Sequence, residues 1–190
     1  MQPFPKFCDQ CGSDQLQSLT PEGDNRERIV CPQCQTTHYR NPKLVVGCLA
    51  LYEGKILLCR RAIEPRKGFW NLPAGFMEND ETVEAGAARE VLEESGAVVD
   101  IQRLHSVYSV LHANQIYMLF LAHLRSPQVH STSETLEARL FAPEEIPFDE
   151  LAFLSNHFTL RRYLDNPNFA GTHIGNSVQT LAEMQQLKKS

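Results

Sequence analysis

Residues 75–97 constrain this chain more than any other stretch. They open as Gly75-Phe76-Met77-Glu78-Asn79-Asp80-Glu81 and, seven residues later, close as Arg89-Glu90-Val91-Leu92-Glu93-Glu94-Ser95-Gly96-Ala97. From about Thr82 to Ser95 the pattern predicts one helix: Val83, Ala87, Val91 and Leu92 recur near helical spacing, and the run 85–88 is mostly strong helix formers. Asp80 or Thr82 can cap its start, and Gly96 can end it in the left-handed conformation. Glu90, Glu93 and Glu94 then stand at i, i+3 and i+4 and share one face. Close carboxylates repel one another, and a hard divalent cation such as Mg²⁺ or Mn²⁺ turns that repulsion into binding, because these ions prefer carboxylate oxygen. A solvated acidic face would explain the helix alone. It does not explain why Gly75, Glu81 and Arg89 stand in register with it.

Cysteine spacing is the second constraint. Cys8 and Cys11 form one C-x2-C pair, and Cys31 and Cys34 form another nineteen residues on, the spacing of a zinc ribbon. Four thiolates close a tetrahedron, so Zn²⁺ here is expected to be structural and to have no open position for catalysis. Disulfides are the competing reading, and nothing in the sequence suggests secretion. His38, four residues beyond Cys34, reads as a surface or packing residue. Cys48 and Cys59 sit in apolar strand patterns and read as small buried hydrophobes.

The remaining pattern divides the chain into a ribbon over residues 1–40, a larger domain over 41–165 that contains the acidic helix, and a polar tail over 166–190. So small a ribbon has little core, and metal binding supplies its folding energy. Leu44–Tyr52, a turn at Glu53-Gly54, and Lys55–Arg61 read as a strand hairpin. Strands are also expected over 97–110, 115–124 and 137–141, and a second long helix over 148–164. This order fits an α/β class with a mixed sheet between two helices, an α/β/α sandwich. The net charge of −5 and the lack of a basic stripe argue against a nucleic-acid partner. No apolar run approaches the length of a membrane span. The start, Met1-Gln2-Pro3-Phe4-Pro5-Lys6, lacks a signal peptide's apolar stretch, so a cytoplasmic protein is expected.

The segment 75–97 resembles the Nudix box, in which Gly, five residues, Glu and seven more residues precede Arg-Glu-apolar-x-Glu-Glu-x-Gly-apolar; only Ala97 is small for its position. The resemblance implies the same α/β/α sandwich and metal-assisted attack of water on a nucleoside-linked diphosphate. It makes Glu90 and Glu94 the prime Mg²⁺ or Mn²⁺ ligands, with Glu93 close behind, and adds the backbone carbonyl of Gly75. Glu81 and Arg89 become the pair that orients them, since a guanidinium fork fixes carboxylate geometry. Glu137 resembles a downstream metal-reaching Glu of ribbon-bearing Nudix pyrophosphatases, with Glu134 as the neighbouring alternative.

The matching segments 39–48, 57–61, 72–75 and 146–153 are similar to the ribbon-bearing branch that cleaves FAD and ADP-ribose. The Ser-Gln-Pro-Trp-Pro-Phe-Pro stretch of NADH pyrophosphatases is absent where the chain reads Leu104 to Ala113. FAD and ADP-ribose are therefore expected ahead of NADH, with NADH cleavage or a non-catalytic nucleotide-sensing role as alternatives. The resemblance also implies a homodimer. Phe69, Trp70, Tyr117 and Phe153 are candidate base platforms, though each such residue is more often core, and Arg60, Arg61 and Arg66 are candidate phosphate contacts that read at least as well as exposed strand-end charges.

Overall fold

A computed structural model of the chain describes residues 5–181, and the chain divides into two compact units at Pro42/Lys43. In the first unit, β1 (Gln17–Leu19), β2 (Arg28–Val30) and β3 (Thr37–His38) form an antiparallel sheet in that order. The two C-x2-C pairs fold alike. Gly12 donates its N–H to the Cys8 carbonyl, and Gln35 donates to the Cys31 carbonyl, at 2.9 and 2.8 Å.

The second unit is built on β4 (Lys43–Tyr52), β5 (Lys55–Arg61), β6 (Trp70–Asn71), β7 (Ala74–Phe76), α1 (Val83–Ser95), β8 (Val99–Val110), β9 (Gln115–Leu124), β10 (Thr135–Phe141), α2 (Leu154–Asp165) and β11 (His173–Asn176). Among the described residues the sheet runs β10-β5-β4-β9-β8-β11, with β6 beside β5 and β7 beside β4. It is mixed: β4 pairs parallel to β9 and β11 parallel to β8, and the other pairings are antiparallel. Alternation along β4 sends its side chains to two cores. Val46, Cys48 and Ala50 pack with Ala87 and Val91 of α1, and Leu49 and Leu51 pack with Leu160 of α2. The sheet thus lies between two helices, the expected α/β/α sandwich. Each fully buried Leu or Val contributes roughly 1.5–3 kcal/mol.

Local chemistry sets the limits of α1. Thr82 is the N-cap, its hydroxyl accepting from Ala85 N–H at 3.2 Å, and Gly96 ends the helix at φ 69°, where its N–H donates to Leu92. Leu92 does not belong to the buried stripe; it is half exposed, and Glu90 and Glu94 are buried in the helix face instead.

Other limits depart from the expectations. The second helix starts at Leu154, not Phe148. Residues 148–150 form a 3-10 turn, and Leu151-Ala152 is then drawn out by pairing to β6, where Ala152 N–H donates to the Trp70 carbonyl at 2.8 Å. β10 begins two residues early, at Thr135. In the segment read as a polar tail, His173–Asn176 extends the sheet as β11. None of the described helices is long and apolar enough to cross a membrane.

Candidate metal and active site

The turn from β7 into α1 brings the acids together. β7 lies antiparallel to the start of β4, Gly75 opposite Val46, and α1 packs back over that pairing through Ala87 and Val91. This places the Glu94 carboxylate under the β7 backbone, where it accepts from Ala74 N–H at 3.2 Å. Glu90 lies against Gly75 so closely that a Cβ there would overlap its carboxylate. Only glycine permits that approach.

Arg89 organises the rest. Its Nε and Nη2 donate to the two oxygens of Glu81 at 3.0 and 2.8 Å, a bidentate fork between the two residues that the resemblance pairs. Nη1 donates to Glu90 at 2.7 Å and to Glu93 at 2.9 Å, and Nη2 also reaches the Phe76 carbonyl at 3.2 Å. Glu81 in turn accepts from Glu78 N–H at 2.7 Å, which fastens the loop before the helix.

The environments of these carboxylates differ sharply. The Arg89 side chain, hydrogen-bonded to Glu81, holds the Glu81 carboxyl down at about 2. Burial pushes Glu90 up, opposed by its bond from Arg89. Burial pushes Glu94 further, to about 8; the Ala74 N–H and the Arg61 charge oppose this, and the Glu90 and Glu134 charges reinforce it. Two buried carboxylates with one guanidinium among them lack positive charge, and that deficit fits a divalent cation. Glu93 is exposed. With Arg89 donating to both Glu90 and Glu93, no three carboxylates among the described residues converge within 4.8 Å of one another.

Of the two downstream acids, Glu134 is the one whose charge acts on both Glu90 and Glu94. Its carbonyl accepts from Ala62 N–H at 2.9 Å, which fixes that segment at the end of β5. Glu137 is exposed on β10, opposite Arg60.

A cleft of about 610 Å³ opens on the α2 side of the sheet, lined among others by Arg66, Tyr117, Phe153, Ser155 and His157. Arg61 connects it to the acids: its guanidinium lies 5.1 Å from the Phe153 ring centre, and its charge acts on both Tyr117 and Glu94. Of the candidate base platforms, Tyr117 and Phe153 line the cleft, whereas Trp70 is buried edge-on to Phe141, 4.8 Å between ring centres. Phe69 lies under Arg66, and Arg60 donates to the Gly68 carbonyl at 2.8 Å.

Ser155 and His157 escaped sequence reasoning. Among the described residues Ser155 Oγ, 1% exposed, and His157 Nδ1 have no hydrogen-bond partner, a cost of about 1–3 kcal/mol for each buried group. Burial, then the Arg161 charge, hold His157 below the ordinary histidine range.

In the first unit the Sγ atoms of Cys8 and Cys34, and of Cys11 and Cys31, lie 3.6 Å apart, and all four fall within 4.8 Å of one another. That is too far for a disulfide and close to the edge of about 3.8 Å set by a tetrahedron with 2.3 Å Zn–S bonds. A hydrogen bond with the Thr36 side chain holds the Cys34 thiol down at about 6. Cys11 moves the other way, to about 12: a backbone contact with Ser13 pulls it down, but desolvation and three neighbouring thiols outweigh that. Four sulfurs at this spacing form a donor set that fits zinc. His38 pairs with Asp9 at 3.4 Å. Cys48 and Cys59 are buried, their thiols directed at carbonyls of α1, and burial raises both.

The NUDIX domain family matches residues 41–162, and the Nudix N-terminal zinc-ribbon family matches residues 6–40. A crystal structure of a NUDIX hydrolase from Nitrosomonas europaea is 48% identical, with a TM-score of 0.86, over 90% of this chain and 98% of that one. An ADP-ribose pyrophosphatase of Methanocaldococcus jannaschii is 32% identical over 60% of this chain and 69% of its own length. A NAD-capped RNA hydrolase NudC of Photobacterium profundum is 29% identical over 92% of this chain, which spans 62% of that relative. With both parts matched in order, and the acids gathered where β7 turns into α1, the chain belongs to the Nudix hydrolases that carry an N-terminal zinc ribbon.

Proposed function

We propose that this enzyme hydrolyses the diphosphate of FAD and ADP-ribose in preference to NADH, releasing AMP with FMN or ribose 5-phosphate. The observation that carries the reading is the pair of buried carboxylates, Glu90 and Glu94, held against the Gly75 and Ala74 backbone. Glu90, Glu94 and Glu93 would hold Mg²⁺ or Mn²⁺, together with the Gly75 carbonyl. The cation supplies charge neutralisation at the phosphate oxygens and acidifies water. Arg89 and Glu81 keep the carboxylates in place, and Glu93 or Glu134 stands ready to accept the proton of the attacking water. No cysteine or serine nucleophile is required. Glu134 takes the role first expected of Glu137, because its charge reaches the Glu90–Glu94 pair.

Three features support the substrate reading: the absent NADH-type stretch, the branch-like segments at residues 39–48 and 146–153, and the similarity to an ADP-ribose pyrophosphatase. Similarity to NAD-capped RNA hydrolases over most of the chain favours a second reading, in which NADH or an NAD-capped end is cleaved. The test is kcat/KM for FAD, ADP-ribose and NADH under one metal condition, with the monophosphates identified. NADH in first place selects the second reading, and no turnover of any diphosphate returns the nucleotide-sensing alternative. A cytoplasmic homodimer completes the proposal, with light scattering at micromolar protein as the check on assembly.

A further inference from the structure

Residues 125–134 connect β9 to β10, carry Glu134, and belong to no strand or helix. Such connections are ordinarily the mobile parts of a fold. This one is tied down along its length. Arg125 N–H donates to the Val98 carbonyl at 3.0 Å, His130 N–H donates to the Ser95 carbonyl at 3.0 Å, and the Glu134 carbonyl accepts from Ala62 N–H at 2.9 Å. Between these ties Val129 packs against the core that contains Ala87 and Val91 of α1. The Thr132 hydroxyl accepts from Glu134 N–H at 3.3 Å, and Thr132 and Thr135 exchange backbone hydrogen bonds at 3.0 and 3.4 Å. The turn bearing Glu134 is thus coupled to whatever holds residues 129–132. What holds them is the end of α1, the helix of Glu90, Glu93 and Glu94. The His130 ring covers the bare face of Gly96 so closely that a Cβ there would fall within the imidazole. Gly96 is therefore required twice, by its left-handed φ of 69° and by the ring that lies on it.

We propose that His130 is a positioning residue for hydrolysis: its ring, seated on Gly96, fastens residues 129–134 to the end of α1 and so holds the Glu134 carboxylate at the acid cluster. The proposal rests on the hydrolase reading above, with Glu134 as the proton acceptor. Glu134 is near enough for its charge to act on both Glu90 and Glu94. A general base must stand within hydrogen-bond reach of the water it deprotonates. Displacement by about 1 Å can cost a hundredfold in rate, so a loop that carries such a group needs an anchor. His130 itself is exposed, and surface contacts of this kind contribute little to global stability. Its contact with Gly96 fixes where the loop lies.

The experiment combines steady-state kinetics on ADP-ribose with Mg²⁺ and amide exchange without substrate. His130→Ala should lower kcat about tenfold or more, with KM within about twofold and the thermal midpoint within about 2 °C of the parent. His130→Phe keeps a flat ring over Gly96 and should restore most of kcat. In a Glu134→Gln background His130→Ala should cost nothing further, because it acts through that carboxylate. Amides of residues 130–134 should exchange faster in His130→Ala than in the parent, and at the parent's rate in His130→Phe. Parent-like kcat or exchange in His130→Ala overturns the proposal. So does a His130→Phe variant as slow as His130→Ala, or a double variant in which the two losses multiply. Glu134→Gln at the parent's kcat also overturns it, while leaving hydrolysis with Glu93 as the base intact. A parent that cleaves no diphosphate removes the hydrolase reading and the role of Glu134 with it; the exchange rates alone then decide whether His130 holds the segment.

Discussion

Arg89 offers a direct measurement of what holds the acid cluster together. Replacing it with methionine keeps the length of the stem and removes five donor contacts: two to Glu81, one each to Glu90 and Glu93, and one to the Phe76 carbonyl. The Glu93 contact is exposed and contributes at most about 0.5 kcal/mol. Glu81 and Glu90 are different, with side chains only 15% and 10% exposed. Breaking a buried pair by removing one partner costs roughly 3–5 kcal/mol. Arg89 is itself 28% exposed, so water screens part of this, and the expected loss is about 2–4 kcal/mol. For a unit of this size that lowers the midpoint of its thermal transition by about 5–15 °C. Arg89→Lys keeps the charge without the fork and should fall between the two. Scanning calorimetry without added Mg²⁺ or chelator reads the shift, and circular dichroism checks that the variants fold. Excess Mg²⁺ should recover more of the midpoint in Arg89→Met than in the parent, because a cation neutralises the same carboxylates. A methionine variant within 1 °C of the parent without added Mg²⁺, or a lysine variant equal to it, would refute the argument.

Three further outcomes are expected. Glu94→Gln should lower kcat by about a hundredfold or more at unchanged fold, in line with the charge stabilisation a metal supplies; near-normal turnover would remove Glu94 from the site. Purified protein should carry about one zinc per chain in a four-sulfur site, and chelation should melt the ribbon; a disulfide among Cys8, Cys11, Cys31 and Cys34 found by mass spectrometry would contradict this. His105 is fully buried, and burial lowers it from 6.5 to about 4. Between those values the unfolded chain binds the proton and the native one does not. Its contribution is therefore complete above about pH 6.5 and lost as pH falls toward 4, with a slope of at most about 1.4 kcal/mol per pH unit. Urea titrations of His105→Gln should show a flatter acid limb, and an unchanged limb would sink the assignment.

The local half of this protein was readable from residue order, because its determinants lie within one or two helical turns. The caps Thr82 and Gly96, the Arg89–Glu81 fork and the cysteine pairs each depend on neighbours a few residues away. Periodicity failed where tertiary bonds compete. Residues 148–153 have apolar spacing suited to a helix, yet Phe148–Glu150 close only a 3-10 turn and the bond from Ala152 N–H to Trp70 draws Leu151-Ala152 into extended form. Leu92 fits the apolar stripe by spacing but faces outward, because two acids occupy the buried face that spacing would give to leucine. β11 had no signal, since Thr172-His173-Ile174-Gly175 lacks alternation and is held as a strand by β8. The cleft was only partly visible: aromatic and arginine candidates could be named, but Ser155 and His157 gain meaning only from where α2 begins.

The contacts that make the acid cluster and those that make the cleft differ in span. Glu94 meets Ala74 across 20 residues of chain, whereas Arg66 meets Ala152 across 86 and Asn71 meets Asn156 across 85. Short loops close at less entropic expense than long ones. Partial opening therefore should begin at the long-range seam, freeing residues 151–156 and the start of α2 before α1 loosens. Amide exchange would then be faster at Ala152 than at Glu94. A protein caught in that opened state would keep its acids assembled while losing the α2-side wall of the cleft, which makes the cleft the more fragile of the two features as temperature or denaturant rises.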